Sequence, residues 1–174
     1  MIGPMKKLFD RQTIQHRVAD LGQEISRDYH QDEMLVVGIL NGAFIFMADL
    51  VRAINRPVHV DFMEAHSYVG MESTGTIKLY SDLKTDISGR HVLLVEDIVD
   101  TGHTIAYLHE QLTQRGPASL KICTLLSKPA KHNLHHLLNY VGFEISNEFV
   151  VGYGLDFDGR FRELPDIMQV VASS

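Results

Sequence analysis

The sequence predicts an α/β fold in which a parallel, twisted sheet carries helices on both faces. Apolar runs typical of buried strands alternate along the chain with segments in which apolar residues recur at helical spacing. The chain has 174 residues, of which 45% are hydrophobic, which is enough for a sizeable core. Because the sequence contains no internal repeat, linker or low-complexity tract, we expect residues 1–174 to form a single domain.

The first half of the chain alternates between predicted helices and predicted strands. Residues 10–29 are predicted to form an amphipathic helix, because their apolar residues fall on one helical face. These residues are Ile14, Val18, Leu21 and Ile25. The apolar run 34–40 predicts a buried strand, and residues 44–54 predict a helix after the turn at Asn41-Gly42. Residues 58–66 alternate between apolar and polar, which predicts another strand.

An irregular segment separates the two halves. Residues 68–80 place glycines and hydroxyl side chains between β-prone ends, which indicates a mobile hairpin or lid. The alternation then resumes with a strand from Val92, a helix over 103–115 and a strand over 119–126. Two short late strands are predicted at 149–153 and 168–171.

The most informative segment is the end of the buried strand that begins at Val92. The residues that follow its four apolar positions are, in order, Glu96, Asp97, Ile98, Val99, Asp100, Thr101, Gly102, His103 and Thr104. Burying carboxylates is costly unless they bind something. Hydroxyls, a glycine and the free amides of a helix N-terminus suit a phosphate. The alternative interpretation is a solvated acidic turn followed by an ordinary helix N-cap.

Other polar candidates also lie where predicted strands end. They are Asn41, Gly42, Lys128 and Asp156. In a parallel α/β sheet, ligands bind at the carboxyl ends of the strands. The sequence therefore predicts that these residues and the acidic pair meet at one edge of the sheet.

The segment from Glu96 to Thr104 resembles the phosphoribosyl-diphosphate signature of type I phosphoribosyltransferases. Its Asp-Thr-Gly triplet also occurs in aspartic proteases, but the helical pattern that follows it and the mixed α/β chain argue against that class. The resemblance extends over about residues 36–162, with the motifs in the order of the family. It implies the fold of that family, in which a small hood from the terminal segments and a mobile loop accompany the sheet.

The resemblance also implies roles for this segment. Glu96 and Asp97 would hold the ribose hydroxyls, directly or through a magnesium ion. The 5-phosphate would bind to Asp100, Thr101, Gly102, His103 and Thr104. Asp100 would be the general base that takes the purine N7 proton while N9 attacks, with water or the metal shell as alternatives.

Three further motifs resemble the hypoxanthine-guanine branch of the family. Asn41 and Gly42 resemble its pyrophosphate loop, which often carries a basic residue where this chain has Asn41. Ser67 and Tyr68 resemble the base of its flexible lid. Lys128 resembles the lysine that donates to the 6-oxo group of the purine. Without the resemblance, the first motif is also compatible with a plain turn and the third with a surface lysine at a strand end, and Ser67-Tyr68 alone carries no signal.

The second long match runs from residue 149 to residue 162. The resemblance implies that Phe149 stacks on the purine and that the carbonyl of Val150 meets the edge of the base. It likewise implies that Asp156 helps to hold Mg²⁺ and that Arg162 binds pyrophosphate. Taken alone, Phe149 would be a core aromatic and Asp156 a turn residue.

We therefore expect an enzyme of purine salvage that transfers 5-phosphoribosyl from phosphoribosyl diphosphate to N9 of a 6-oxopurine, with Mg²⁺ as cofactor. One alternative is an enzyme of the same fold that acts on xanthine or a pyrimidine. Another is a pyrimidine-responsive regulator that binds RNA. The charge balance, 16 Lys and Arg against 22 Asp and Glu, gives no basis for binding nucleic acid or an anionic membrane.

Composition gives the remaining expectations. The one cysteine, Cys123, lies in an apolar run and is interpreted as a core residue, and a chain without a disulfide fits a reducing compartment. The N-terminus has no hydrophobic signal core, so we expect a cytoplasmic protein. His132 and His136 would share a face of a helix, which we interpret as solvated rather than metal-binding. The resemblance implies a homo-oligomer, either a dimer or a tetramer.

Overall fold

The computed structural model describes residues 3–29, 32–68 and 76–171. In chain order, its strands are β1 (Met5–Phe9), β2 (Met34–Leu40), β3 (Val58–Tyr68), β4 (Thr76–Ser81), β5 (His91–Val99), β6 (Ser119–Ser127), β7 (Leu138–Glu144), β8 (Phe149–Val151) and β9 (Ile167–Val170). Its α-helices are α1 (Arg11–Asp28), α2 (Phe44–Ala53) and α3 (His103–Thr113), and a 3₁₀ turn spans Pro129–Lys131.

The main sheet has the strand order β4-β3-β2-β5-β6-β7. Neighbouring strands are parallel except for β4, which is antiparallel to β3. Helices α1 and α2 pack on one face of the sheet and α3 packs on the other, so the central strands are buried from both sides. The predicted α/β fold is confirmed, with an antiparallel edge strand. Within the described ranges, no helix is long and apolar enough to cross a membrane.

Helix α1 shows how the sequence determines the packing. The Asp10 carboxylate caps the helix by accepting a hydrogen bond from the backbone N–H of Thr13 at 2.7 Å. The apolar stripe predicted from the sequence is fully buried against the sheet and α2. Gly22 allows α2 to approach closely, since a Cβ at this position would lie 2.5 Å from the carbonyl oxygen of Ala53.

A second, smaller sheet has the order β1-β9-β8, with antiparallel neighbours. It joins the N-terminal strand to two strands near the C-terminus and is the predicted hood. The sequence pattern does not predict strand β1, because Lys6 and Lys7 interrupt its apolar residues. Both lysine side chains are exposed on one short strand, which pairs with β9.

The region after the 3₁₀ turn differs from its prediction. The helix considered for His132 to His136 is wrong, because these residues form a loop and a turn that lead into β7. The ring of His132 instead lies against the end of β6, with its Nε2 atom 3.0 Å from Oγ of Ser127. The sequence pattern also misses strand β7, because its short sequence alternates weakly and depends on pairing with β6.

The segment predicted to be a hairpin or lid is a hairpin where the structure describes it. Strand β3 continues to Tyr68, and β4 begins at Thr76 and pairs with it in antiparallel register. Residues 69–75, which include the tip of the predicted lid, lie outside the described residues.

Asp61 of β3 anchors the chain that follows β4. Its Oδ2 atom accepts hydrogen bonds from the backbone N–H groups of Lys84 at 3.0 Å and Thr85 at 2.9 Å. Burial acts to raise the pKa of Asp61, but the hydrogen bonds from Phe62, Thr85 and Lys84 outweigh it and leave the pKa below its ordinary value. The ionised carboxylate therefore stabilises the folded chain.

The substitution Asp61→Asn is expected to lower the free energy of unfolding by about 1–3 kcal/mol, because it replaces a charged acceptor and places an amide donor among backbone donors. The contribution of Asp61 is present above its unfolded-state pKa and is lost as the pH falls through the lower folded-state pKa. The difference in the free energy of unfolding between the wild type and Asp61→Asn should therefore disappear in acid. Chemical denaturation at several pH values measures it, with the exposed Asp20→Asn as control. Equal losses for both variants at neutral pH would contradict the anchoring role.

Candidate active site

A cleft opens at the carboxyl edge of the main sheet, where β2, β3 and β5 end. It has a volume of about 290 Å³. The polar residues and glycines that line it include Asn41, Gly42, His66, Ser67, Glu96, Asp97, Asp100, Thr101, Gly102, His103, Thr104, Asp156 and Arg162. Most of the strand ends singled out in the sequence therefore meet in one place, as a parallel sheet requires.

Glu96 and Asp97 lie side by side in the last part of β5. Glu96 is only 7% exposed. Burial raises the pKa of Glu96, and the neighbouring Asp97 carboxylate raises it further. Burial also raises the pKa of Asp97, although hydrogen bonds and the charge of Arg162 oppose the effect. A buried carboxylate beside a partly buried one favours the binding of a cation or of hydroxyl donors.

Gly42 packs directly against Asp97. A Cβ at position 42 would lie 1.8 Å from Oδ2 of Asp97, so any side chain there would displace the carboxylate. From the sequence alone, this glycine is explained by the close approach of a ligand. In the structure, the glycine also makes room for Asp97. The peptide bond that precedes Asn41 is cis.

The loop from Asp100 to Thr104 turns the chain from β5 into α3. Gly102 has a φ of +79°, in the left-handed region that favours glycine. A Cβ at this position would also lie 2.3 Å from Cδ1 of Leu134. Because α3 begins at His103, which lines the cleft, the free amide groups of the first helical turn lie at the cleft mouth. The loop therefore combines hydroxyls and helix amides in the manner that suits a phosphate.

Each carboxylate oxygen of Asp100 is paired with the ammonium group of a lysine. Nζ of Lys128 lies 3.0 Å from Oδ2, and Nζ of Lys131 lies 2.5 Å from Oδ1. Burial acts to raise the pKa of Asp100, but the contacts with Lys131 and Lys128 outweigh it and hold the pKa below its usual value. The sequence pattern does not single out Lys131, although it stands three residues after Lys128 in the 3₁₀ turn and so faces the same side.

A loop after β8 closes another side of the cleft. Asp156 accepts a hydrogen bond from the backbone N–H of Gly159 at 2.8 Å, and its Oδ1 atom lies 2.9 Å from Nη2 of Arg162. Arg162 also donates to the carbonyl oxygen of Gly154 at 2.5 Å. A Cβ at Gly154 would lie 2.3 Å from the carbonyl oxygen of Gly42, so this loop packs tightly on the turn after β2.

A second cavity, of about 210 Å³, adjoins the cleft beneath the hood. The residues that line it are Asp97, Ile98, Asp100, Lys128, Phe149, Val150, Leu155 and Asp156. Phe149 is 48% exposed and makes an edge-to-face contact with Phe157, with the ring centroids 5.8 Å apart. A half-exposed aromatic ring and a buried lysine thus line the same cavity, which suits a flat ligand with a polar edge. The interpretation of Phe149 as a core aromatic is wrong, because the ring lies at this half-open cavity.

A comparison with known protein families agrees with this geometry. The family model described as the phosphoribosyl transferase domain matches residues 4–158. The chain belongs to the phosphoribosyltransferase family.

Individual relatives show the branch of the family to which this phosphoribosyltransferase is similar. It is 46% identical over 168 residues to hypoxanthine phosphoribosyltransferase of Haemophilus influenzae, an alignment that covers 94% of each chain. A crystal structure of a hypoxanthine-guanine phosphoribosyltransferase from Bacillus anthracis, with a HEPES molecule in its active site, has a TM-score of 0.91 and 40% identity and covers 98% of this chain and 100% of that one. Hypoxanthine phosphoribosyltransferase of Trypanosoma cruzi, in complex with the product IMP, has a TM-score of 0.89 and 39% identity over 95% of this chain and 94% of that one.

The phosphoribosyltransferase brings together nearly all the residues predicted for its site. Ser67 lines the cleft, and the backbone of Tyr68 pairs with β4. The sequence pattern does not reveal Lys131, His66 or the apolar walls of the second cavity, Ile98 and Leu155. The position of Ile98 between the acidic pair and Asp100 indicates that it lies near the site. Nothing in the sequence indicates which face of β5 lines a cavity, so its place in a cavity wall is not predicted.

Proposed function

We propose that this phosphoribosyltransferase transfers the 5-phosphoribosyl group from phosphoribosyl diphosphate to N9 of hypoxanthine, guanine or both, giving IMP or GMP and pyrophosphate. The observation that carries the proposal is the adjacency of the two cavities. They share Asp97, Ile98, Asp100 and Asp156. A sugar phosphate in the cleft would therefore present its anomeric carbon to a base in the second cavity. The names of the relatives and the IMP complex of the T. cruzi enzyme support this choice of substrates.

The second cavity fits a 6-oxopurine. Phe149 offers a half-exposed ring for stacking, and Lys128 offers an ammonium group that can donate to an exocyclic oxygen. The amino group of adenine would meet that donor with another donor, which disfavours it. Asp100 lines both cavities, so its carboxylate is placed to accept the N7 proton as N9 attacks.

The cleft fits the charged parts of phosphoribosyl diphosphate. The loop from Asp100 to Thr104 would bind the 5-phosphate, and Glu96 and Asp97 would hold the ribose hydroxyls. Arg162, with the amides around Asn41 and Gly42, would bind the pyrophosphate group. Neutralising the leaving group in this way lowers the barrier to its departure.

The donor set also fits Mg²⁺, the cofactor that we propose. Mg²⁺ prefers oxygen ligands and is commonly held by one or two carboxylates together with substrate oxygens and water. The residues that would hold it are Asp156 and the acidic pair Glu96 and Asp97, whose pKa values are raised. Because these three carboxylates do not form a cluster that could hold a metal by itself within the described ranges, substrate oxygens and water would have to complete the coordination. When bound, the ion would supply positive charge to the pyrophosphate.

An assay with each base tests the proposal. The protein is incubated with phosphoribosyl diphosphate, Mg²⁺ and hypoxanthine, guanine, xanthine, adenine or uracil in turn, and nucleotide formation is measured. We expect IMP or GMP to form, and product only from xanthine or uracil would favour the alternative enzymes. No turnover together with tight binding of RNA would favour the regulator. Sedimentation of the same sample tests the homo-oligomer, a dimer or tetramer, that we also propose.

The acidic pair should act on the sugar diphosphate and not on the base. The double variant Glu96→Gln, Asp97→Asn keeps the shape of both side chains but removes the charge that hydroxyls and Mg²⁺ need. We expect the KM for phosphoribosyl diphosphate to rise roughly tenfold, as for the loss of one charged hydrogen bond, and the KM for hypoxanthine to change little. Initial rates with each substrate varied in turn measure both. An equal rise in both constants would mean that the pair shapes the fold instead.

We also propose that residues 1–174 form a single domain and that the enzyme works in the cytoplasm. Limited proteolysis would test the first point, since a single domain should yield one resistant fragment that includes both cavities. Cell fractionation with an antibody to the chain would test the second.

A further inference from the structure

The two lysines on Asp100 occupy different surroundings. Lys128 is 5% exposed and lines the second cavity, where the base is proposed to bind. The Lys131 side chain is 35% exposed, and Lys131 is not among the residues that line either the cleft or the second cavity. It borders an open groove that shares Thr101, Gly102 and His103 with the cleft, so Lys131 stands beside the loop from Asp100 to Thr104. Lys131 therefore reaches Asp100 from outside the substrate cavities.

The 3₁₀ turn fixes this arrangement. The backbone N–H of Lys131 donates to the carbonyl oxygen of Lys128 at 2.9 Å, and residues three apart in a 3₁₀ turn lie on the same side. The turn is tied to the end of β5, because the backbone N–H of Lys128 donates to the carbonyl oxygen of Val99 at 2.9 Å. The contact between His132 and Ser127 holds its other end. The position of Lys131 is thus built into the fold.

Binding of a base would change the partners of Lys128 but not those of Lys131. An ammonium group has three N–H donors, and Lys128 would turn one of them toward the 6-oxo oxygen. Asp100 would then depend more on its other oxygen, Oδ1, which faces Lys131. Oδ2, on the side of Lys128, would be left to accept the purine proton.

We propose that Lys131 is a positioning residue that holds the Asp100 carboxylate through Oδ1 while Lys128 engages the base. The inference rests on the proposed function, because the base that draws Lys128 away is the one assigned there. Lys131 touches neither substrate in this scheme and acts only through Asp100.

The charges around Asp100 give the direction of the expected change. Lys131, Lys128 and His132 interact with the charge of Asp100, and the other ionisable groups that line the cavities beside it are His66, Glu96, Asp97, His103, Asp156 and Arg162. The acids disfavour the ionised carboxylate, and the lysines and Arg162 favour it. Removing Lys131 should therefore raise the pKa of Asp100, so that a higher pH is needed to ionise it. The acid limb of the pH profile should move toward higher pH.

Lys131→Met tests the inference, with Lys131→Arg as the conservative variant and the exposed Lys84→Met as control. We expect kcat/KM for hypoxanthine to fall by roughly tenfold at the acid end of the profile, below the range for losing a general base outright. It should fall little at the alkaline end, and the KM for phosphoribosyl diphosphate should not change. Lys131→Arg should restore the profile. If Lys131→Met does not fold by circular dichroism, Lys131→Gln replaces it.

A second measurement does not depend on turnover. The ¹³C resonance of the Asp100 carboxyl group, followed through a pH titration, should show a higher midpoint in Lys131→Met than in the wild type. An unchanged midpoint together with an unchanged acid limb would overturn the inference. A wild-type protein without activity toward any purine would instead refute the proposed function, and the titration would still decide whether Lys131 acts on Asp100.

Discussion

Asp100→Asn is expected to lower the rate of the chemical step by about 10²–10⁴-fold, the usual cost of losing a general base. Asparagine keeps the size and shape of aspartate, so the loop from β5 to α3 should keep its course. Its amide oxygen cannot take a proton from the purine at neutral pH. The effect should therefore appear in the rate and not in the binding of nucleotide.

The two lysines that contact Asp100 indicate why the variant should still bind nucleotide. The asparagine side chain of the variant offers one oxygen, so only one of Lys128 and Lys131 can keep its acceptor. Lys131 is partly exposed and can turn into solvent, whereas Lys128 is buried and should keep the amide oxygen. The second cavity should therefore retain its donor.

A single-turnover assay with hypoxanthine measures the chemical step directly. IMP binding, measured by calorimetry, should be close to that of the wild type. The exposed Asp86→Asn, outside both cavities, is the matched control. Turnover near the wild-type rate would remove Asp100 from the role of general base and assign the proton to water or to the metal shell.

The sequence predicts the parts of the site that are contiguous in the chain. The acidic pair, the loop to Thr104 and the start of α3 follow one another, so local pattern and strand periodicity suffice to place them. The parallel topology then explains why Lys128 and Asp156, at the ends of other segments, come to the same edge.

The parts that the sequence does not predict depend on long-range packing. The amino-acid pattern around Lys131 does not show that it meets Asp100, because that contact depends on the 3₁₀ turn and on its attachment to β5. Gly42 stands out as a turn residue, but its contact with Asp97 joins two strands that are distant in sequence. Strands β1 and β7 form through pairing with a partner strand and have weak patterns of their own.

Lys128→Met is expected to change the choice of base. Methionine keeps much of the aliphatic stem of lysine and removes the donor, so a bound 6-oxo group loses a charge-assisted hydrogen bond of roughly 1.5–3 kcal/mol. This corresponds to about one to two decades in kcat/KM for hypoxanthine. Adenine, which the donor disfavours, should lose little or gain slightly.

The contact between Lys128 and Asp100 has to be separated from the contact with the base. Lys128 also binds Asp100, so its removal could disturb the general base as well as the second cavity. Lys131 stays on the other carboxylate oxygen and keeps Asp100 paired. Any residual effect on Asp100 would slow the reaction of hypoxanthine and adenine alike. The ratio of the two specificity constants therefore isolates the contact with the 6-position.

The measurement is kcat/KM for hypoxanthine divided by kcat/KM for adenine, in the wild type, in Lys128→Met and in the exposed control Lys6→Met. We expect the ratio to fall by roughly tenfold or more in Lys128→Met alone. A general loss of anion binding cannot imitate this result, because it would lower both constants together and leave the ratio unchanged. An unchanged ratio with a lower rate for both bases would mean that Lys128 serves Asp100 and not the base. The preference for 6-oxopurines would then have to come from Val150 and the walls of the cavity.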